Sequence, residues 1–215
     1  MRKIAIDIVS DVVCPWCFIG LRRLELALAD LPEVEATVTF RPFELDPSTP
    51  REGVDLRERL RKKYGGDPEA MFARVEAAAA ESGLALDFGK VRRSVNTLAA
   101  HTLLRSAIGK GTQRALARAL FDAYFVAGRD VGDPEVLAEL AADHGFSRDE
   151  ALALVADERE RARTRAECVE AQQSGVRGVP FFVFAERLAV SGAQSPEVLR
   201  AAIERALSGV DFPDG

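Results

Sequence analysis

The sequence predicts an α/β fold: one small mixed sheet, interrupted by a large all-helical insert. Three observations carry this. A β-α-β pattern opens the chain, with "KIAIDIVS" from Lys3 and "EATVTFRPFEL" from Glu35 flanking a helix. A β-β-α pattern closes it, with "PFFVF" from Pro180, "RLAVSG" from Arg187 and a helix from Ser195. Between them, from about Arg51 to about Val155, the periodicity is helical only. Residues 1–50 and 156–215 then form one discontinuous domain, and 51–155 the insert.

The first two strands are joined through a helix, so they are expected to be parallel, with a right-handed crossover. The last two are joined by a tight turn at Ala185-Glu186 and are expected to be antiparallel. Three helices start alike. Asp67-Pro68-Glu69, Asp133-Pro134-Glu135 and Ser195-Pro196-Glu197 each place a capping side chain, then proline, then an acid in the first turn. Each is followed by a glycine suited to a C-cap: Gly83, Gly145 and Gly209. Cys14-Pro15 repeats the device at the head of "CPWCFIGLRRLELALADL", so Cys14 stands where a capping Ser or Asp would stand.

The chain has 215 residues, a net charge of −5 and 47% apolar residues, enough for a sizeable core. Acids and bases are interspersed, which disfavours nucleic acid as a partner. The basic stretch "RERLRKKYGG" from Arg57 reads as a solvated helix face. No run suits a membrane span, and Asp7 and Asp11 break the apolar N-terminal run where a signal peptide would continue. A cytoplasmic location is expected. Three cysteines in a reducing compartment do not make a disulfide framework, so Cys14 and Cys17 call for a chemical explanation.

A helix N-terminus offers unpaired N–H groups and the positive end of the dipole. A Cys14 thiolate there is stabilised and its pKa falls. Pro15 presets the helical dihedral, and Cys17 lies one turn on, within reach of a disulfide. Trp16 adds no positive charge and Asp11 adds a negative one, so the lowering is expected to be moderate. Zinc would need four ligands, and no second Cys-x-x-Cys or close His pair is present. No metal is expected.

A Cys-x-x-Cys that follows a strand and opens a helix resembles the thioredoxin-like redox signature. More closely, the chain resembles the DsbA-type family and its FrnE-like branch, related to kappa-class glutathione transferases and 2-hydroxychromene-2-carboxylate isomerases. The resemblance rests on "DVVCPWCFIG" at Asp11, "NTLAAH" at Asn96, "FDAYFVAGRDVGD" at Phe121, "GVRGVPFFVF" at Gly175 and "VSGAQSPEVL" at Val190. It implies a thioredoxin-like fold in which Pro180 is cis and faces the cysteines, leaving the Val179 backbone free to meet substrate. It implies a thiol–disulfide oxidoreductase with Cys14 as nucleophile, Cys17 as resolving thiol, and Pro15 and Trp16 beside the substrate. Asp7 is its candidate proton relay, and Asn96 a candidate for the substrate cleft.

His101 reads as a packing histidine, Cys168 as a bystander without a partner, and Phe121, Tyr124 and Phe125 as core. The expected partners are thiol or disulfide substrates, protein or small molecule. No cofactor is expected beyond glutathione as a co-substrate. The alternative is a glutathione-dependent transferase or isomerase on the same fold. Such relatives usually carry Ser at the position of Cys14, and two cysteines favour redox turnover.

Overall fold

The structure is a computed structural model, and it describes residues 1–209. Positions 210–215, the end of the expected C-terminal block, lie outside the described residues. Strand β1 (Arg2–Ser10) leads into helix α1 (Pro15–Ala29) and then strand β2 (Val34–Pro42). Far along the chain come β5 (Phe181–Phe184), β6 (Leu188–Ser191) and α9 (Pro196–Ser208). The four strands make one mixed sheet in the order β2-β1-β5-β6. β1 pairs parallel with β2, Ile6 opposite Val38, and antiparallel with β5, Ile8 opposite Phe182. Ala185 and Glu186 turn the chain with φ of 49° and 57°, both left-handed without glycine, and the Arg187 N–H closes the turn onto the Phe184 carbonyl at 3.0 Å, while the strands pair from Phe184 and Leu188.

Between β2 and β5 lie α2 (Leu56–Tyr64), α3 (Pro68–Glu81), α4 (Leu98–Ala107), α5 (Gln113–Phe125), α6 (Pro134–Ala142), α7 (Arg148–Ala156) and α8 (Glu158–Gln173). This segment is not purely helical. β3 (Val54–Asp55) and β4 (Arg93–Ser94) form a short antiparallel ladder. Two-residue strands carry no readable periodicity, so pattern reasoning passes over them.

The shared helix starts form as their chemistry dictates. Asp67 accepts from the Glu69 N–H, Asp133 from Glu135, and Ser195 from Val198. Helix α9 ends at Gly209 in the left-handed region, where only glycine is free of strain. Helix α6 stops short of Gly145, and the Phe146 N–H closes its last turn onto the Ala141 carbonyl at 3.3 Å.

The apolar core is continuous across both parts of the chain. Ile6, Ile8, Phe182 and Phe184 of the sheet share it with Phe18 of α1 and with Leu103, Phe121 and Phe125 of the intervening segment. Phe18 stacks on Phe121, ring centroids 5.3 Å apart. The edge strand β2 is covered by α4, α5 and α8. Gln113 of α5 completes that cover. Its amide accepts from the Phe40 N–H and donates to the Phe40 carbonyl, each at 2.9 Å, so the buried edge keeps its hydrogen bonds. These contacts hold the end of β1, where the cysteines begin, between sheet and helices.

Candidate active site

Cys14 is the N-cap residue of α1, with φ −92° and ψ 113°, and Pro15 occupies the first helical turn. Its N–H donates to the Asp11 carbonyl at 3.0 Å, and its own carbonyl accepts from Cys17 at 3.0 Å and Phe18 at 3.3 Å. The backbone thus follows the capping pattern that the sequence suggested. The side chain does not, because the Cys14 sulfur makes no hydrogen bond to the first-turn N–H groups. It turns instead to the other side of the site, where its thiol donates to the Val179 carbonyl at 3.6 Å.

The Val179–Pro180 peptide bond is cis, and Pro180 is buried. The loop reaches this close because α1 has a glycine at the contact. A Cβ on Gly20 would lie 2.9 Å from Pro180 Cγ and 3.1 Å from Phe182 Cζ. Both cysteines are free thiols. They differ in surroundings. Both are buried, Cys14 4% and Cys17 1% exposed, but Cys14 lies on the wall of a cavity beside the half-exposed Trp16 and Cys17 does not. Burial pushes the Cys17 thiol well above its ordinary range, and the neighbouring Cys14 adds to this. The Ser10 hydroxyl and the Asp11 backbone N–H face the Cys17 sulfur and work the other way.

Cys14, Pro15, Trp16 and Val179 form one wall of a cavity of about 570 Å³. The rest of the lining includes Leu56 and Leu60 of α2, Phe72 and Val75 of α3, Tyr124 of α5, and Phe88 from the loop after α3. Arg59, Lys63 and Arg177 bring positive charge to it. Arg59 is ion-paired with Asp46 at 2.5 Å. The basic face of α2, expected to be merely solvated, therefore contributes two residues to this lining. Cys17 does not line the cavity.

Two sequence-based assignments are corrected. Asp7 is not placed to relay protons. Strand alternation puts it on the face opposite Ile6 and Ile8, where it ion-pairs with Arg41 at 2.8 Å. Asn96 does not line the cavity, although Ser94, Val95 and Thr97 do. Its amide donates to the Thr49 carbonyl at 2.9 Å, and its oxygen accepts from the Leu98 N–H at 3.1 Å at the start of α4. Its side chain is spent on local structure.

The buried acid near the cysteines is Asp11. It is 1% exposed, and its carboxylate accepts from the Leu45 N–H at 2.8 Å. His101 of α4, also buried, meets it at 3.3 Å. Glu44 lies beside this pair, its carboxyl raised by burial, lowered in part by His101 and raised further by Asp11. Cys168 of α8 is buried against the same group. Burial, with the charges of Glu44 and Asp11, pushes its thiol up to about 12, which makes it inert as a nucleophile at neutral pH. Sequence reasoning counted Asp11 only as a nearby charge and passed over Ser10, Glu44 and Gly20. Among the described residues, no cluster of three His, Cys, Asp or Glu side chains is arranged to hold a metal. No helix of the described residues is long and apolar enough to cross a membrane.

The DSBA-like thioredoxin domain family matches residues 5–204. A probable DsbA oxidoreductase from Streptomyces coelicolor superposes with a TM-score of 0.85 at 35% identity, covering 99% of this chain and 93% of its own. YwbO of Bacillus subtilis, an uncharacterized protein, is 25% identical over 199 residues, 92% of this chain and 94% of its own. The cytosolic disulfide reductase DsbM from Pseudomonas aeruginosa, solved with GSH, shares the fold at a TM-score of 0.63 and 19% identity, covering 95% of this chain and 99% of its own.

Proposed function

The chain belongs to the DSBA-like thioredoxin domain family, and from that premise we propose that it is a thiol–disulfide oxidoreductase working through Cys14 and Cys17. The observation that carries this is the position of the Cys14 sulfur. It sits at the tip of α1, on the cavity wall, against the Val179 carbonyl.

The Cys14 thiolate attacks a substrate disulfide. One Cys14–substrate S–S bond forms and the substrate's own S–S bond breaks, releasing a thiolate. Cys17 then attacks the Cys14 sulfur, forms the intramolecular disulfide and expels the second substrate thiolate. The substrate is reduced by two electrons and the enzyme is oxidised by two. The reverse sequence oxidises a dithiol substrate. Pro15 and Trp16 shape the entrance, and the Val179 backbone offers a carbonyl to an extended substrate. Neither direction needs a metal or organic cofactor.

A cavity of this size suits a small molecule as well as a protein side chain. Lys63 and Arg177 offer sites for carboxylates, beside Asp11, Glu44 and the Arg59-paired Asp46 in the same lining, which supports glutathione as a co-substrate. The fold neighbour solved with GSH is consistent with that choice. A cytoplasmic setting is part of the proposal, supported by a cysteine usage that builds no disulfide framework.

The same cavity gives a second reading some weight, a glutathione-dependent transferase or isomerase. Comparing glutathione–disulfide exchange with glutathione conjugation separates the two. The wild type is expected to catalyse exchange, and Cys17→Ser to lose it. Conjugation that survives Cys17→Ser, without catalysed exchange, would favour the transferase.

A further inference from the structure

Resolution of a mixed disulfide on Cys14 requires the Cys17 thiol to give up its proton, and Cys17 has almost no contact with solvent. The Ser10 hydroxyl faces its sulfur. Ser10 also lines a second, much smaller cavity of about 10 Å³, the low end of the space that one water takes. His101 lines the same cavity. His101 therefore shares a water-sized gap with the serine that faces the resolving thiol.

The hydrogen bonds bear on the state of His101. Asp11 takes the Leu45 N–H on Oδ2 and has the Val13 N–H at 3.5 Å from Oδ1. Both of its oxygens accept from backbone N–H groups, and in the Nε2–H tautomer His101 donates to it at 3.3 Å. Nδ1 is then the ring nitrogen left to accept, with a carboxylate behind the ring as in a catalytic triad but with the two nitrogens exchanged. Two of the other charged groups around His101 are paired, and Arg161 and Arg165 of α8 act on Glu44 beside it. Arg41 from β2 pairs with Asp7, and Arg105 on α4 pairs with Glu160. Glu44 faces His101 from the segment after β2, and Cys168 of α8 faces Glu44 and Asp11.

We propose that His101, oriented by Asp11, receives the Cys17 proton through Ser10 when the mixed disulfide is resolved. The assignment rests on the thiol–disulfide reading. Cys17 passes its proton to Ser10 Oγ, and the Ser10 proton moves on across the small cavity to His101 Nδ1. The electron pair left on the Cys17 sulfur forms the Cys14–Cys17 bond, and the substrate sulfur departs with the pair of the broken S–S bond. The substrate disulfide is the only oxidant. In the opposite direction His101 returns the proton to Cys17.

Reduced enzyme mixed with 5,5′-dithiobis(2-nitrobenzoate) in a stopped-flow instrument separates the steps. Attack by Cys14 releases the first chromophore and resolution by Cys17 releases the second. In His101→Gln the ratio of the second rate to the first is expected to fall about 100-fold at pH 7, the scale of general base catalysis. It should recover as pH rises and bulk base takes over. Ser10→Ala, which leaves the Asp11–His101 pair intact and is the safer variant for folding, should lower the same ratio and shift the same pH profile. A wild-type ratio and pH profile in Ser10→Ala would overturn the proposal. So would parallel slowing of both phases with an unshifted profile, the signature of a purely structural role. Absence of the first phase in the wild type would instead remove the thiol–disulfide reading beneath it.

Discussion

Glu44 shows what the neighbourhood of the cysteines costs the fold. Its carboxyl is buried, and burial raises it above the ordinary 4.5. The folded state therefore holds the proton more tightly than the unfolded state does. The stability this contributes is fully present below about pH 4.5 and is lost as pH rises through the raised folded value. Glu44→Gln keeps the shape and removes the charge. Its melting temperature is expected to match wild type near pH 4 and to exceed it by a growing margin towards pH 7. Parallel melting curves over that range would show that the charge is fully compensated.

At the same scale, the legible residues were those whose chemistry is local. The Cys14–Cys17 spacing, Pro15 between them and Pro180 ahead of a strand can be read without knowing what is distant. Asp11 and His101 are 90 residues apart, and nothing in either local pattern announces the other. Asp7 is a different case. Ile4, Ile6 and Ile8 already define the buried face of β1, and a period of two places Asp7 opposite them. The fold resemblance outweighed an alternation that was there to be read.

Among the elements, α1 carries most of the site, and Gly20 sets how closely it approaches the Pro180 loop. Replacing a mid-helix glycine by alanine normally gains about 1 kcal/mol in helix propensity. Here the added Cβ would press on the Pro180 ring at 2.9 Å and on Phe182 at 3.1 Å. Overpacking of this kind costs about 1–3 kcal/mol, so packing is expected to win. Gly20→Ala should melt a few degrees below wild type, at about 2–4 °C per kcal/mol for a chain of this size. Gly20→Val, which adds still more volume, should fall further. A stabilised Gly20→Ala would show that the loop can retreat without cost. The capped helix starts were legible because a side chain, a proline and an acid act within one turn. The β3-β4 ladder was not, because its pairing of Val54 with Ser94 is set by the tertiary fold.

For the molecule as a whole, the order of strands and helices was legible from periodicity and turn chemistry. The cavity was not, because its two walls come from segments that only the folded chain brings together. Both cysteines are buried, but only Cys14 lines the cavity, and Cys17 lies off it with its thiol raised. Attack and resolution are therefore assigned to different sulfurs. The most direct test offers a disulfide substrate to Cys17→Ser and to Cys14→Ser, then weighs the intact proteins by mass spectrometry without reductant. Cys17→Ser is expected to accumulate a mixed disulfide on Cys14, and Cys14→Ser to accumulate none. Equal trapping by both variants, or trapping by Cys14→Ser alone, would contradict the assignment.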